Sequence, residues 1–198
     1  ANWEMIVAPG TPGWGERTNH CVLATNNGIY IYGGQDPTSS TFYNDVWYSP
    51  DGVTWNQLTA AAPWTARASA ACLFYKNKLW LMFGLSSGGT YFNDLWSSID
   101  GITWTQQTAG ALSGGGRINT QVCVYRDRMW VIAGQGSSGT LFDAYYSTDG
   151  NIWTLVTAFN APARSRGKAL VFPTPSSVST FRYQTMWVLG GIFNATST

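Results

Sequence analysis

Charge is scarce in this chain. Only 11% of its 198 residues are Asp, Glu, Lys or Arg, and the formal net charge is +1. Ordinary domains carry roughly a quarter. A chain so near neutrality offers no electrostatic footprint for nucleic acid or an anionic membrane. Lysine is scarce, with Lys76, Lys78 and Lys168 alone. Long apolar runs are also missing. No stretch approaches the roughly 18 uninterrupted apolar residues of a membrane-spanning helix. The segment "ANWEMIVAPG" (1–10) lacks a basic start and an apolar run. It therefore reads as no signal peptide, which leaves open a cleaved one.

Histidine occurs once, at His20. One imidazole cannot supply a two- or three-histidine metal site. No GxSxG-like context surrounds it to suggest a serine nucleophile. Cysteine occurs three times, at Cys21, Cys72 and Cys123, an odd count with no CxxC spacing. Zinc-knuckle and redox motifs are unsupported. Each cysteine stands in an apolar stretch, "HCVLA", "ACLFY" and "VCVYR". They read as buried thiols acting as small apolar residues. No disulfide is expected between them, because innermost strands of neighbouring sheets should stand too far apart for Cα atoms within about 7 Å.

Aromatics are abundant, with 11 Trp, 10 Tyr and 9 Phe, and they recur in register. "NDVWYSPDGVTW" (44–55), "NDLWSSIDGITW" (93–104) and "FDAYYSTDGNIW" (142–153) follow one another at a spacing of 49. The apolar runs "GIYIYGG", "KLWLMFG" and "RMWVIAG" reach glycine at Gly34, Gly84 and Gly134, fifty apart. A fourth, "TMWVLGG", reaches Gly191 seven residues late, after the longer "PTPSSVSTFRY" (173–183). Arg17, Arg67, Arg117 and Arg166 precede these runs at a similar phase.

Each unit reads as four short strands. In the second, "SAACLFYK" (69–76), "LWLMFG" (79–84), "FNDLWSS" (92–98) and "ITWTQQT" (102–108) are separated by turn signals. An Asp-Gly pair between strand-like runs predicts a hairpin. No window shows sustained helical periodicity. The second strand is apolar at nearly every position, so both of its faces should be buried. Four-stranded antiparallel sheets stacked around an axis satisfy that, which makes the fold all-β and a β-propeller. The units are a leading fourth strand (2–9), blades at 10–59, 60–109 and 110–158, and a partial blade at 159–198. About four blades are thus present. They read as part of a larger ring, with four-bladed closure or assembly from two chains as alternatives.

The fifty-residue period, the Gly-ended second strand, the following Asn-Asp and the fourth-strand Trp resemble kelch repeats. The Ser-x-Asp-Gly-x-Thr-Trp segment also resembles the Asp-box of sialidase-type propellers, one residue shorter than the usual pattern. Both resemblances make the segment a structural hairpin. Asp51, Asp100 and Asp149 would bond their own downstream amides. Trp55, Trp104 and Trp153 would be mostly buried against a neighbouring blade. Asp45, Asp94 and Asp143 are expected to pair with the phased arginines or to cap toward solvent. Of ten acidic residues six belong to the repeat, leaving Glu4, Glu16, Asp36 and Asp127. Paired-carboxylate hydrolysis therefore has few candidates. The copper oxidases on the kelch scaffold use several His and Tyr ligands, and this chain has one His. No catalytic residue, metal site or cofactor is assigned.

Function is expected at the loops joining strands 2 to 3 and strand 4 to the next strand 1. They carry Ser, Thr, Gly and aromatics, suited to a protein partner. Candidate contact residues are Trp14, Asp36, Tyr43, Trp64, Tyr91 and Phe142. A glycan ligand is one alternative, stacking on Trp14, Trp64, Tyr43 and Tyr91, and a fragment of a propeller enzyme is the other. The glycan reading requires those rings to be exposed rather than to cover the inter-blade junction. The sequon Asn194-Ala195-Thr196 and the composition suggest an extracellular or cell-surface location.

Overall fold

A computed structural model describes residues 13–108, 110–157, 165–174 and 183–191. The expected leading strand (2–9) and the sequon at Asn194 lie outside the described residues. Among the described residues every regular element is a β-strand. The first sheet orders β1 (Cys21–Thr25), β2 (Gly28–Tyr32), β3 (Val46–Ser49) and β4 (Asn56–Thr59) side by side. The second repeats this with β5 (Ala71–Tyr75), β6 (Lys78–Met82), β7 (Leu95–Ser98) and β8 (Thr105–Thr108). The third holds β9 (Gln121–Val124), β10 (Met129–Gly136), β11 (Gly139–Ser147) and β12 (Thr154–Leu155). In the fourth, β13 (Lys168–Thr174) pairs with β14 (Tyr183–Leu189). All pairings are antiparallel meanders.

The sheets stack in sequence order through their first strands, β1 on β5, β5 on β9 and β9 on β13. The cores lie between sheets. Cys21, Tyr32 and Val46 of the first meet Leu79, Leu81 and Trp104 of the second. Leu73, Trp80 and Met82 of the second meet Met129, Val131 and Tyr145 of the third. Burying both faces explains why β6 is apolar without alternation. Hydrogen bonds cross these junctions. The Tyr32 hydroxyl donates to the Trp80 carbonyl at 2.9 Å. The Gly34 amide donates to Arg67 O at 2.8 Å, and Gly84 to Arg117 O at 2.9 Å.

The Asp-Gly connection is longer than a two-residue hairpin. β7 ends at Ser98 and β8 begins at Thr105, so residues 99–104 form the loop. Asp100 Oδ1 accepts from the amides of Ile102 and Thr103, both at 2.8 Å, and Ser98 Oγ accepts from Gly101 N at 2.8 Å. Asp51 and Asp149 do the same in their sheets. Side-chain oxygens thus satisfy amides that ladder pairing would otherwise take. The following Trp closes each loop by donating to the glycine carbonyl three residues back, at 3.1–3.2 Å.

The expected burial of these tryptophans holds fully only at Trp104, which is 6% exposed. Trp55 and Trp153 are half-buried. Trp104 is enclosed by Tyr32 at 5.4 Å and Trp64 at 5.9 Å between ring centroids. Trp55 meets Trp14 edge-on at 5.7 Å. Trp153 packs at the edge of the core between the second and third sheets.

Candidate binding face

At the end of the second strand in the first two sheets, and within β10 in the third, the chain turns through a left-handed residue. Gly33, Phe83 and Ala133 have φ of 67°, 62° and 51°. Pairing then resumes as single bridges, Thr18 with Gln35, Ala68 with Leu85 and Ile118 with Gln135. A second left-handed residue opens each first strand, at Asn19, Ser69, Asn119 and Arg166. These four are stitched around the axis. Ser69 N donates to Asn19 O at 2.9 Å, Asn119 N to Ser69 O at 3.2 Å, and Arg166 N to Asn119 O at 3.0 Å.

That stitching corrects one sequence expectation. Arg166 does not stand at the phase of Arg17, Arg67 and Arg117. It holds the position of Asn19, Ser69 and Asn119, two residues on. The residue in phase with the other arginines is Arg164, outside the described residues. The segment "ARSRG" carries two arginines, and the wrong one is nearer the apolar run.

Arg17, Arg67 and Arg117, the phased arginines among the described residues, form one repeated clamp. Arg17 reaches Asp45 with both terminal nitrogens at 2.7 and 3.0 Å. Arg67 reaches Asp94 at 2.5 and 3.0 Å, and Arg117 reaches Asp143 at 2.7 and 2.9 Å. Each also donates to the carbonyl of the left-handed residue, Gly33, Phe83 or Ala133. Arg17 lies 4.2 Å from the Tyr43 ring centroid and Arg67 lies 4.0 Å from that of Phe92. In the first two sheets an indole two residues past the Asp, Trp47 or Trp96, donates to the same carboxylate at 2.8 Å. Burial pushes the Asp94 carboxyl up, but Arg67 and Trp96 outweigh it and hold the group below its ordinary value. These pairs lie within a blade, so the repeated charges are consumed by the scaffold.

The candidate contact residues separate by environment. Trp64 is 1% exposed and packs edge-on against Trp104, so it covers a junction and cannot present a face to a sugar. Trp14 is half-buried between Trp55 and His20. Tyr43 is half-buried beneath Arg17. Tyr91 is half-buried and bridges to Leu85. Asp36 turns on its own loop, accepting from Thr38 N, Thr38 Oγ1 and Ser39 N at 2.7–2.8 Å. Those bonds hold its carboxyl below the ordinary value. Phe142 is 69% exposed.

Phe142 differs from its counterparts for a reason. Asn44 donates to Ala62 O at 3.0 Å and to Trp64 O at 3.3 Å, tying down the loop that leads into the second sheet. Asn93 ties the next through Leu112. The third repeat replaces this clamp with an apolar ring that faces solvent. Beside it, residues 137–138 turn a β10–β11 hairpin that is longer than its counterparts. A cleft of about 260 Å³ lies between this hairpin and the glycines at 114–116. The loop ends of the innermost strands surround a second, axial cavity of about 520 Å³. Asn19, His20, Ser69, Asn119, Thr120, Arg166 and Lys168 are among its lining residues. Burial and the charge of Arg17 push the His20 imidazole below its ordinary value. Sequence reasoning missed both the Asn44 and Asn93 clamps and the axial cavity. The aligned Asn, Asn, Phe column was the available signal for the first.

Three stacked four-stranded meanders with inter-sheet cores and a repeated Arg–Asp clamp define a kelch-type β-propeller. The chain belongs to the KLHDC2/KLHL20/DRC7 Kelch-repeats domain family, which it matches over residues 1–191. A comparison with curated proteins found no match.

Proposed function

We propose that the chain is a non-enzymatic recognition module that binds a protein partner through its loop side. The observation that carries this reading is Phe142. A ring this exposed, where two sister repeats keep a loop-clamping Asn, has no part in holding the sheets. Aromatic residues are over-represented at the centres of protein interfaces. The adjoining cleft is lined by Gly, Ser and Thr with Leu141, whose small side chains leave the backbone open to a partner's polar groups. The carboxylates of the repeat are already committed to arginines, indoles and turn amides, which supports a binding rather than a catalytic role.

The test is a selection of displayed peptides against the 198-residue chain, followed by titration of the selected sequences. Phe142→Ala should weaken binding tenfold or more, and Ile102→Ser, on a strand 3–4 loop at the other end of a sheet, should leave it unchanged. Equal binding by wild type and Phe142→Ala, or loss confined to Ile102→Ser, would overturn the reading.

A further inference from the structure

The three cysteines fall 51 residues apart in a chain whose repeat is fifty. In a β-strand one residue of slip moves a side chain to the opposite face. Cys21 and Cys72 therefore do not occupy equivalent places. Cys21, on β1, points toward the second sheet, and its thiol donates to Ala70 O at 3.7 Å. Cys72, on β5, points back toward the first sheet, and its thiol donates to Val22 O at 3.8 Å. The two contacts are reciprocal, each thiol reaching the strand that carries the other. Cys123 has slipped once more and faces the fourth sheet, 3.4 Å from Met186 Sδ. All three thiols are free in the structure, and the facing contacts direct Cys21 and Cys72 toward one another across the junction between the first two sheets. The opposite facing of the two side chains turns both thiols into the junction between β1 and β5.

We infer that Cys21 and Cys72 form an oxidisable pair that closes into a disulfide between the first two sheets when the chain meets a peroxide. The chemistry has an order. Cys21 is 3% exposed, and burial raises its thiol well above the ordinary value. Cys72 is only half-buried. The hydrogen bond from Cys21 lowers its pKa against the opposing effect of burial, with Tyr32 and the charge of Lys168 contributing. The Cys72 thiolate is the sulfur that attacks. It displaces hydroxide from the peroxide and becomes a sulfenic acid. The Cys21 sulfur then attacks Cys72 Sγ. The S–O bond breaks, the S–S bond forms, and the Cys21 proton leaves with hydroxide as water. Two thiols and one hydrogen peroxide give one disulfide and two waters. The bridge would fix two strands whose preceding residues, His20 and Ala70, line the axial cavity.

The test treats the folded chain with hydrogen peroxide, blocks remaining thiols with iodoacetamide and digests it with trypsin without reduction. The expected product joins residues 18–67 to residues 68–76, while the peptide 118–126 carries an alkylated Cys123. Reduction should separate the pair. Closing a loop of this length should raise the Tm of the oxidised chain by roughly 10 °C. Cys21→Ser should stop the reaction at a Cys72 sulfenic acid that dimedone traps. Three results would each overturn the inference: three alkylated thiols after peroxide, a bridge that includes Cys123, or dimedone labelling of Cys21 or Cys123 in preference to Cys72. Because oxidised and reduced forms of the unmutated chain are compared, poor folding of a variant leaves the main test intact.

Discussion

Arg67 grips Asp94 through both terminal guanidinium nitrogens, at 2.5 and 3.0 Å, with the arginine side chain 1% exposed. The same guanidinium donates to Phe83 O at 2.9 Å, which steadies a non-glycine residue in left-handed backbone. Desolvating two charges costs several kcal/mol, which their attraction must offset. Removing one partner is therefore worse than removing both. Arg67→Met is expected to destabilise the chain by about 3–5 kcal/mol in urea unfolding, and Arg67→Met/Asp94→Leu should recover a large part of it. If the double variant is no more stable than the single one, the carbonyl contacts of Arg67 outweigh the ion pair.

The three Asp-Gly glycines share a positive φ but not a neighbourhood. A β-carbon at Gly150, φ 83°, would stand 2.2 Å from the Trp80 ring of the preceding sheet. At Gly52, φ 78°, the nearest atom would be Ile29 Cδ1 at 3.7 Å. Gly52→Ala should cost about 1 kcal/mol, the strain of left-handed backbone alone. Gly150→Ala adds the displacement of a buried indole and should cost roughly 2–4 kcal/mol. Equal losses in thermal unfolding would show that the Trp80 contact yields freely.

The scaffold was legible because it is written three times. The period of fifty, the Gly-ended strand and the Asp-Gly turn followed by Trp each name a local requirement, so the strands followed from apolar runs and turn signals. Relations between sheets were harder to read. That Trp64 fills the junction against Trp104, or that Cys21 and Cys72 converge while Cys123 turns away, depends on how blades fan about the axis. Strand spacing says nothing of that fan, although the slip of one residue per repeat was visible. The fourth repeat was misphased at Arg166 because its copy of the motif is weakest. The candidate face was half legible: loops were identified, but not that Phe142 alone among the chosen aromatics is largely exposed.

Acid should unfold the chain in two stages. The folded pKa of His20 is lowered by burial and by Arg17. The unfolded chain binds that proton more readily, so stability declines as pH falls through the ordinary histidine value of about 6.5. Asp149 and Asp51 are lowered by turn amides, as are Asp94 and Asp100 by their partners despite burial. Groups with depressed carboxylate pKa contribute stability above about pH 4 and lose it as pH falls through their folded values. The urea midpoint should drop modestly between pH 7 and 5.5 and steeply below 4. His20→Gln should flatten the first stage, and Asp100→Asn, which keeps the accepting oxygen, should make the second shallower. A midpoint that rises on acidification would contradict the whole assignment.

The tryptophans that close the Asp-Gly loops should differ in weight although they are equivalent in sequence. Each donates to its own glycine carbonyl, so that bond does not distinguish them. Burial does. Trp104 lies among Tyr32, Trp64, Leu79 and Leu81 and joins two sheets. Truncation there leaves a cavity that neighbouring rings in fixed sheets cannot refill. Trp104→Ala is expected to cost about 3–5 kcal/mol. Trp55 meets Trp14 edge-on and keeps one side toward solvent, so Trp55→Ala should cost roughly 1–3 kcal/mol. Trp104→Phe, which retains a ring between Tyr32 and Trp64, should recover about half of the first loss. Chemical unfolding followed by intrinsic fluorescence reads all three variants. A Trp55→Ala loss equal to that of Trp104→Ala would place the weight on the hairpin itself rather than on the junction between sheets.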